Sequence, residues 1–110
     1  MSMQRCCVPA RIARKDFNGE AMLLKAVADP YRLKMLATLA SVSGEVCVCD
    51  FADALPLNQP TVSHHLRLLR DAGLISSDRR GTWVYYRLEE GAYERLTSVL
   101  GSVFRHKVLA

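Results

Sequence analysis

Residues 57–88 read LNQPTVSHHLRLLRDAGLISSDRRGTWVYYRL, and the period of the stretch changes half-way along it. In the first half Asn58 is placed to cap a helix. Pro60 is tolerated in the first turn, where its missing N–H would have no helical partner anyway. Val62, His65, Leu66 and Leu69 follow at helical spacing and mark an inner face, and Gly73 is placed to end the helix as a left-handed cap. The second half carries two β-prone runs around a polar centre, Asp78-Arg79-Arg80-Gly81, which predicts a β-hairpin.

Working outward, a third, short helix is expected over about 48–55, where Val48, Phe51, Ala52 and Leu55 keep helical spacing. Before it, Asp29 can cap a second helix with Pro30 in its first turn, and Leu33, Leu36, Ala37 and Ala40 form a candidate buried stripe. A first helix is expected in EAMLLKAVA, 20–28. A last one is expected from about Glu89 to Phe104, where Ala92, Leu96, Val99 and Val103 recur at a spacing that suits packing on a partner helix. Residues 1–15 have four cations and no apolar period, so they read as a flexible arm carrying Cys6 and Cys7, with one domain over 16–110.

Two short helices, a tight turn and a hairpin describe a winged helix-turn-helix, a mainly α (α+β) fold of five helices and a β-hairpin wing. With Val62, Leu66 and Leu69 inward, Ser63, His64 and Arg67 point outward, and Gln59 and Thr61 lie near the helix start. In this motif the start of the second helix meets base edges in the major groove; Gln suits adenine, Arg suits guanine, and Ser and Thr suit phosphates or bases. Arg79 and Arg80 at the hairpin tip suit a phosphate or the minor groove.

The totals set wider bounds. A chain of 110 residues, half of them hydrophobic, builds a large core more easily by pairing with a second copy. Its formal charge of +4 is a weak hint of an anionic partner. The N-terminal stretch lacks the apolar run of a signal peptide and nothing approaches a membrane span, so a cytoplasmic location without membrane contact is expected. The four cysteines then read as thiols for metals or redox chemistry rather than a disulfide frame. There is no C-x-x-C redox motif, nucleophile elbow or phosphate loop, which argues against an enzyme and against a protein substrate.

LLKAVADPYRLKMLATL, EVCVCDFADAL and the 57–88 stretch together resemble the ArsR/SmtB family of metal-responsive repressors, over about residues 20–104. The resemblance implies a homodimeric repressor that releases double-stranded operator DNA when a metal or metalloid binds. It implies Gln59, Thr61, Ser63, His64 and Arg67 as recognition-helix contacts, and Arg79 and Arg80 as wing contacts. First and last helices would form the dimer contact, with Leu96, Val99 and Val103 on the last.

CVCD, residues 47–50, has its own geometry. Residues two apart on a regular helix point about 200° apart, so Cys47 and Cys49 can share an ion only at a helix start, where the chain is still extended. A helix N-terminus is also expected to favour thiolates. In the resembling family CVCD at this position is a metal-box signature. Many arsenic-sensing members place a further cysteine where this chain has Ala52, so the missing ligands are expected from Cys6 and Cys7. Trivalent arsenic takes three sulfurs in a pyramid. As(III) or Sb(III) held by three of Cys6, Cys7, Cys47 and Cys49 is therefore the expected inducer; Cd(II) or Pb(II) on all four, or thiol oxidation, are the alternatives. A zinc-type site on the last helix is not expected, because His106 is the only suitable ligand there.

Overall fold

The computed structural model describes residues 9–105. Residues 9–17 form no helix or strand, and 9–16 are exposed. Five helices and three strands follow in the order α1 (Asn18–Val27), α2 (Pro30–Ser41), β1 (Val46–Cys47), α3 (Val48–Ala54), α4 (Gln59–Asp71), β2 (Ile75–Arg80), β3 (Trp83–Leu88) and α5 (Ala92–Phe104).

The end signals act as chemistry requires. Asp29 accepts hydrogen bonds from the backbone N–H groups of Tyr31 and Arg32 at 2.9 and 3.1 Å, and Pro30 fills the first turn of α2. Asn58 Oδ1 accepts from Thr61 N at 2.9 Å and starts α4. At the other end of α4, Gly73 has φ +78°; its N–H bonds to Arg70 O and Leu74 N–H to Leu69 O, a paired closure that needs a left-handed residue. Any side chain at Gly73 would also meet Arg95 Nη1, which donates to Gly73 O at 2.9 Å.

The core is built where α4 meets its neighbours. Val62, Leu66 and Leu69 are fully buried, together with Met35, Leu74 and, nearly so, Leu39 and Ile75. Burying a side chain of this kind is worth about 1.5–3 kcal/mol. On α2 the inward stripe is Met35 and Leu39 with Leu36 alongside. The expected stripe through Leu33, Ala37 and Ala40 faces outward, and Leu33 is half exposed. The helix is apolar on two sides, so periodicity alone does not choose between them. The observed rotation also brings in Arg32, whose Nε donates to Ala26 O at 2.7 Å at the end of α1 and whose Nη1 contacts His65 Nδ1 on α4 at 2.9 Å.

The sheet has three antiparallel strands in the order β1-β3-β2, one more than the hairpin predicted from sequence. Val46 pairs with Tyr86 and Cys47 with Tyr85. The hairpin tip is also narrower than its polar centre suggested. Asp78, Arg79 and Arg80 are strand residues paired with Tyr85, Val84 and Trp83, and only Gly81 (φ +64°) and Thr82 form the turn. The last helix starts at Ala92 rather than near Glu89. Glu89 N–H is bonded to Leu74 O, and Gly91, at φ +83°, turns the chain into α5.

Candidate nucleic-acid interface and thiol pair

The expected reading residues lie together along one edge of α4. Gln59 and Arg67 are exposed, Thr61 and Ser63 half-buried. Among the described residues, the side chains of Gln59, Thr61 and Ser63 make no hydrogen bond within the chain. His64 is exposed, and its Nδ1 lies 3.0 Å from Arg67 Nη2, one helical turn along. His65 does a different job. Its side chain is 14 % exposed and contacts Arg32 and, at 3.9 Å, Asp29, so it joins α4 to the start of α2. The hydrogen bond from Arg32 N first, then that from Tyr31 N and the nearby His65 and Arg32 side chains, outweigh burial and hold the Asp29 carboxyl below its usual range.

The two wing arginines, grouped together on sequence, stand apart. Successive strand residues face opposite sides of a sheet, so Arg79 and Arg80 diverge. Arg79 is exposed and, among the described residues, makes no ion pair. Arg80 donates from Nη2 to Glu45 Oε1 at 2.6 Å and from Nε to Asp78 Oδ2 at 3.0 Å, and its guanidinium lies 4.6 Å over the Tyr85 ring. Glu45 also receives Arg87 Nη1 at 3.6 Å. These carboxylates push the Arg80 pKa above its ordinary value. Sequence reading missed Glu45. No local signal marked it, because Glu45 precedes a strand of only two residues, Val46–Cys47.

Cys47 is the N-cap of α3. Its backbone is extended (φ −72°, ψ 145°), and its sulfur accepts from Cys49 N–H at 3.4 Å. This extended entry brings the two side chains to one side, with Cys49 Sγ 2.6 Å from Cys47 Sγ; both are free thiols. The expected thiolate character is not what results. The hydrogen bond to Cys47 first, then burial, then the charge that a Cys47 thiolate and Asp50 would add, raise the Cys49 thiol to about 11. The helix N-terminus is outweighed because losing the proton would leave two sulfurs in contact without it. Among the described residues no three of His, Cys, Asp and Glu are gathered as ligands. Cys6, Cys7 and His106 lie outside the described residues.

On α5, Ala92, Leu96 and Val99 turn onto the chain's own core, with Val99 only 8 % exposed. Val103 is 41 % exposed and belongs to a second apolar row with Tyr93, Leu100 and Phe104.

Residues 29–77, which span α2 to the first half of β2, match the bacterial regulatory proteins of the arsR family, in their helix-turn-helix domain. The kinship extends beyond that segment. It is 39% identical over 84 residues to the arsenical resistance operon repressor of Bacillus subtilis, covering 76% of this chain and 79% of that protein. The chain belongs to the ArsR family. It is a transcriptional regulator, not an enzyme. It is 40% identical over 82 residues to an arsenic resistance transcriptional regulator of Pseudomonas putida, covering 74% of this chain and 63% of that protein, so it spans less than two thirds of that relative's length. A cadmium resistance transcriptional regulatory protein homologue of Staphylococcus aureus is 34% identical over 96 residues, covering 87% of this chain and 76% of that protein. The crystal structure of a possible transcriptional regulator for arsenical resistance superposes with a TM-score of 0.67 at 32% identity, covering 74% of this chain and 83% of that one. Among the described residues no helix is long and apolar enough to cross a membrane.

Proposed function

We propose that this ArsR-family chain is a repressor that binds duplex operator DNA as a homodimer and releases it when As(III) or Sb(III) is held by cysteine thiolates. The observation that carries the inducer is the convergence of Cys47 and Cys49 at the first turn of α3, the helix that packs on α4. Two soft sulfurs on one side of a helix start are half of a thiophilic site. Cys6 and Cys7 both bind, and Cys47 or Cys49 completes the three-sulfur set. The arsenic resistance roles of the Bacillus and Pseudomonas relatives support the same reading.

On the DNA side, Gln59, Thr61, Ser63, His64 and Arg67 face the major groove, and Arg79 meets a phosphate beside it. The partner chain packs on α1 and α5, where Met22, Tyr93, Leu100, Val103 and Phe104 leave an apolar surface exposed. Val99 and Leu96 support this face from beneath. The ligand needs only to prefer the released form; a coupling of about 1–3 kcal/mol weakens operator binding by roughly 5–150-fold.

Thiol chemistry favours arsenite over the cadmium reading that the Staphylococcus relative suggests. Arsenous acid condenses with three thiols and expels three waters, with no net release of protons. A divalent cation must expel a proton for each thiol it binds, so its binding depends more strongly on pH.

The experiment is a gel shift on the DNA upstream of the chain's own coding sequence, with arsenite, antimonite, cadmium, lead and peroxide added separately. Release by arsenite and antimonite, with a midpoint nearly flat from about pH 6 to 8, is expected. Release by cadmium alone, or by peroxide alone, would replace this reading with the corresponding alternative.

A further inference from the structure

The wing carries a contact that a DNA-binding surface does not need. Pairing of Val46 with Tyr86 and Cys47 with Tyr85 places Glu45 opposite Arg87, and Asp78 lies opposite Tyr85 on the far strand. Glu45, Cys47, Tyr85, Arg87, Asp78 and Arg80 therefore share one face of the sheet. On that face Arg80 is engaged by three groups: Glu45 at 2.6 Å, Asp78 at 3.0 Å, and the Tyr85 ring beneath it at 4.6 Å. Glu45 is the less exposed partner, at 22 % against 52 % for Arg80, and it draws in Arg87 as well. Arg79, one residue earlier and on the opposite face, makes no such pair among the described residues.

We propose that Glu45 is a positioning residue that holds Arg80 away from DNA, so that a duplex gains this wing arginine only by displacing the carboxylate. The same grip connects the wing to the thiol pair. Cys47 lies two residues from Glu45 on one side of β1, and its cross-strand neighbour Tyr85 is the ring under Arg80. A change at the sulfurs thus reaches Arg80 from below, through Tyr85, and from the side, through Glu45. This inference rests on the proposed DNA-binding role, and its connection to the sulfurs rests on the proposed inducer.

The test is fluorescence anisotropy with a labelled random-sequence duplex at low salt, because a phosphate contact needs no operator. Glu45→Gln keeps the shape of the side chain and removes the nearer of the two carboxylate charges on Arg80, so binding should tighten by about two- to fivefold. In an Arg80→Ala background the same substitution should change binding by much less. A Glu45→Gln protein that binds more weakly or no better, or a gain of equal size without Arg80, overturns the proposal. Circular dichroism on each variant separates loss of fold from loss of contact.

The route to the sulfurs is read on the chain's own upstream duplex. Arsenite should release Glu45→Gln less completely than wild type, and full release of that variant would refute the route. A wild-type complex that arsenite leaves intact would remove the route together with the inducer reading, while the grip on Arg80 still stands or falls on the first measurement.

Discussion

The exposed edge of α4 and the outer face of the wing are both polar surfaces next to the same core, yet they are wired in opposite ways. Along α4, Gln59, Thr61 and Ser63 spend no hydrogen bonds inside the chain, among the described residues, and Asn58 alone secures the helix start. On the wing, Arg80 has its charge answered by Glu45 and Asp78. A polar side chain without an internal partner is available to a ligand at little cost. One that is already paired must first be unpaired, so its contribution to binding is a difference between two contacts. Position on a DNA-facing element is therefore not enough to assign a role. Arg79 and Arg80 are neighbours in sequence and unequal in availability.

Six substitutions probe this contrast, in falling order of effect. Leu66→Ala empties a fully buried position under α4 and should cost about 2–5 kcal/mol, read as a lower urea midpoint. It should disable both surfaces together, and a variant that kept its midpoint would remove α4 from the centre of the core. Next, Gln59→Ala or Arg67→Ala should cost about 1–3 kcal/mol on the preferred duplex and little on others. Arg79→Ala should weaken all duplexes alike and flatten the salt dependence by about one phosphate contact. Identical behaviour of helix and wing variants in salt titrations would erase the distinction. Asn58→Ala should lower stability by about 1 kcal/mol through the lost cap, with sequence preference intact in what remains folded. The smallest effect belongs to Cys49. Its thiol is raised to about 11 in the fold, so the unfolded chain loses this proton first as pH climbs from its ordinary value near 9. The urea midpoint should thus decline across that window and be steadier below it. In Cys49→Ser this part of the decline should be missing.

Much of the fold was legible because its punctuation is local. Asp29-Pro30, Asn58 with Pro60, and Gly73 each act within one turn of chain, and each sets a helix end as read. The inner face of α4 was legible for a related reason: Val62, Leu66 and Leu69 are its only strongly apolar spacing. On α2 two apolar stripes compete, and the choice between them is tied to long-range contacts such as that of Arg32, which reaches the end of α1 and His65 thirty-three positions along the chain. No periodicity contains that contact. The thiol pair was half legible. Its placement at a helix start follows from the angle between alternate residues, whereas the raised Cys49 pKa follows from a sulfur contact that spacing does not quantify. β1 and the Glu45 ion pairs were not legible, because a two-residue strand has too few side chains to show alternation and its partners lie about forty residues away.

The central claim is that the sulfurs at the start of α3, completed by those near the N-terminus, control DNA binding. It is tested most directly by arsenite titration of the full chain bound to its own upstream duplex, comparing wild type with Cys6→Ser, Cys7→Ser and the Cys47→Ser/Cys49→Ser double variant. Without arsenite all should bind the duplex as wild type does; with arsenite wild type should be released, while each of the three variants should stay bound. Release of the double variant at the same arsenite concentration as wild type would contradict it.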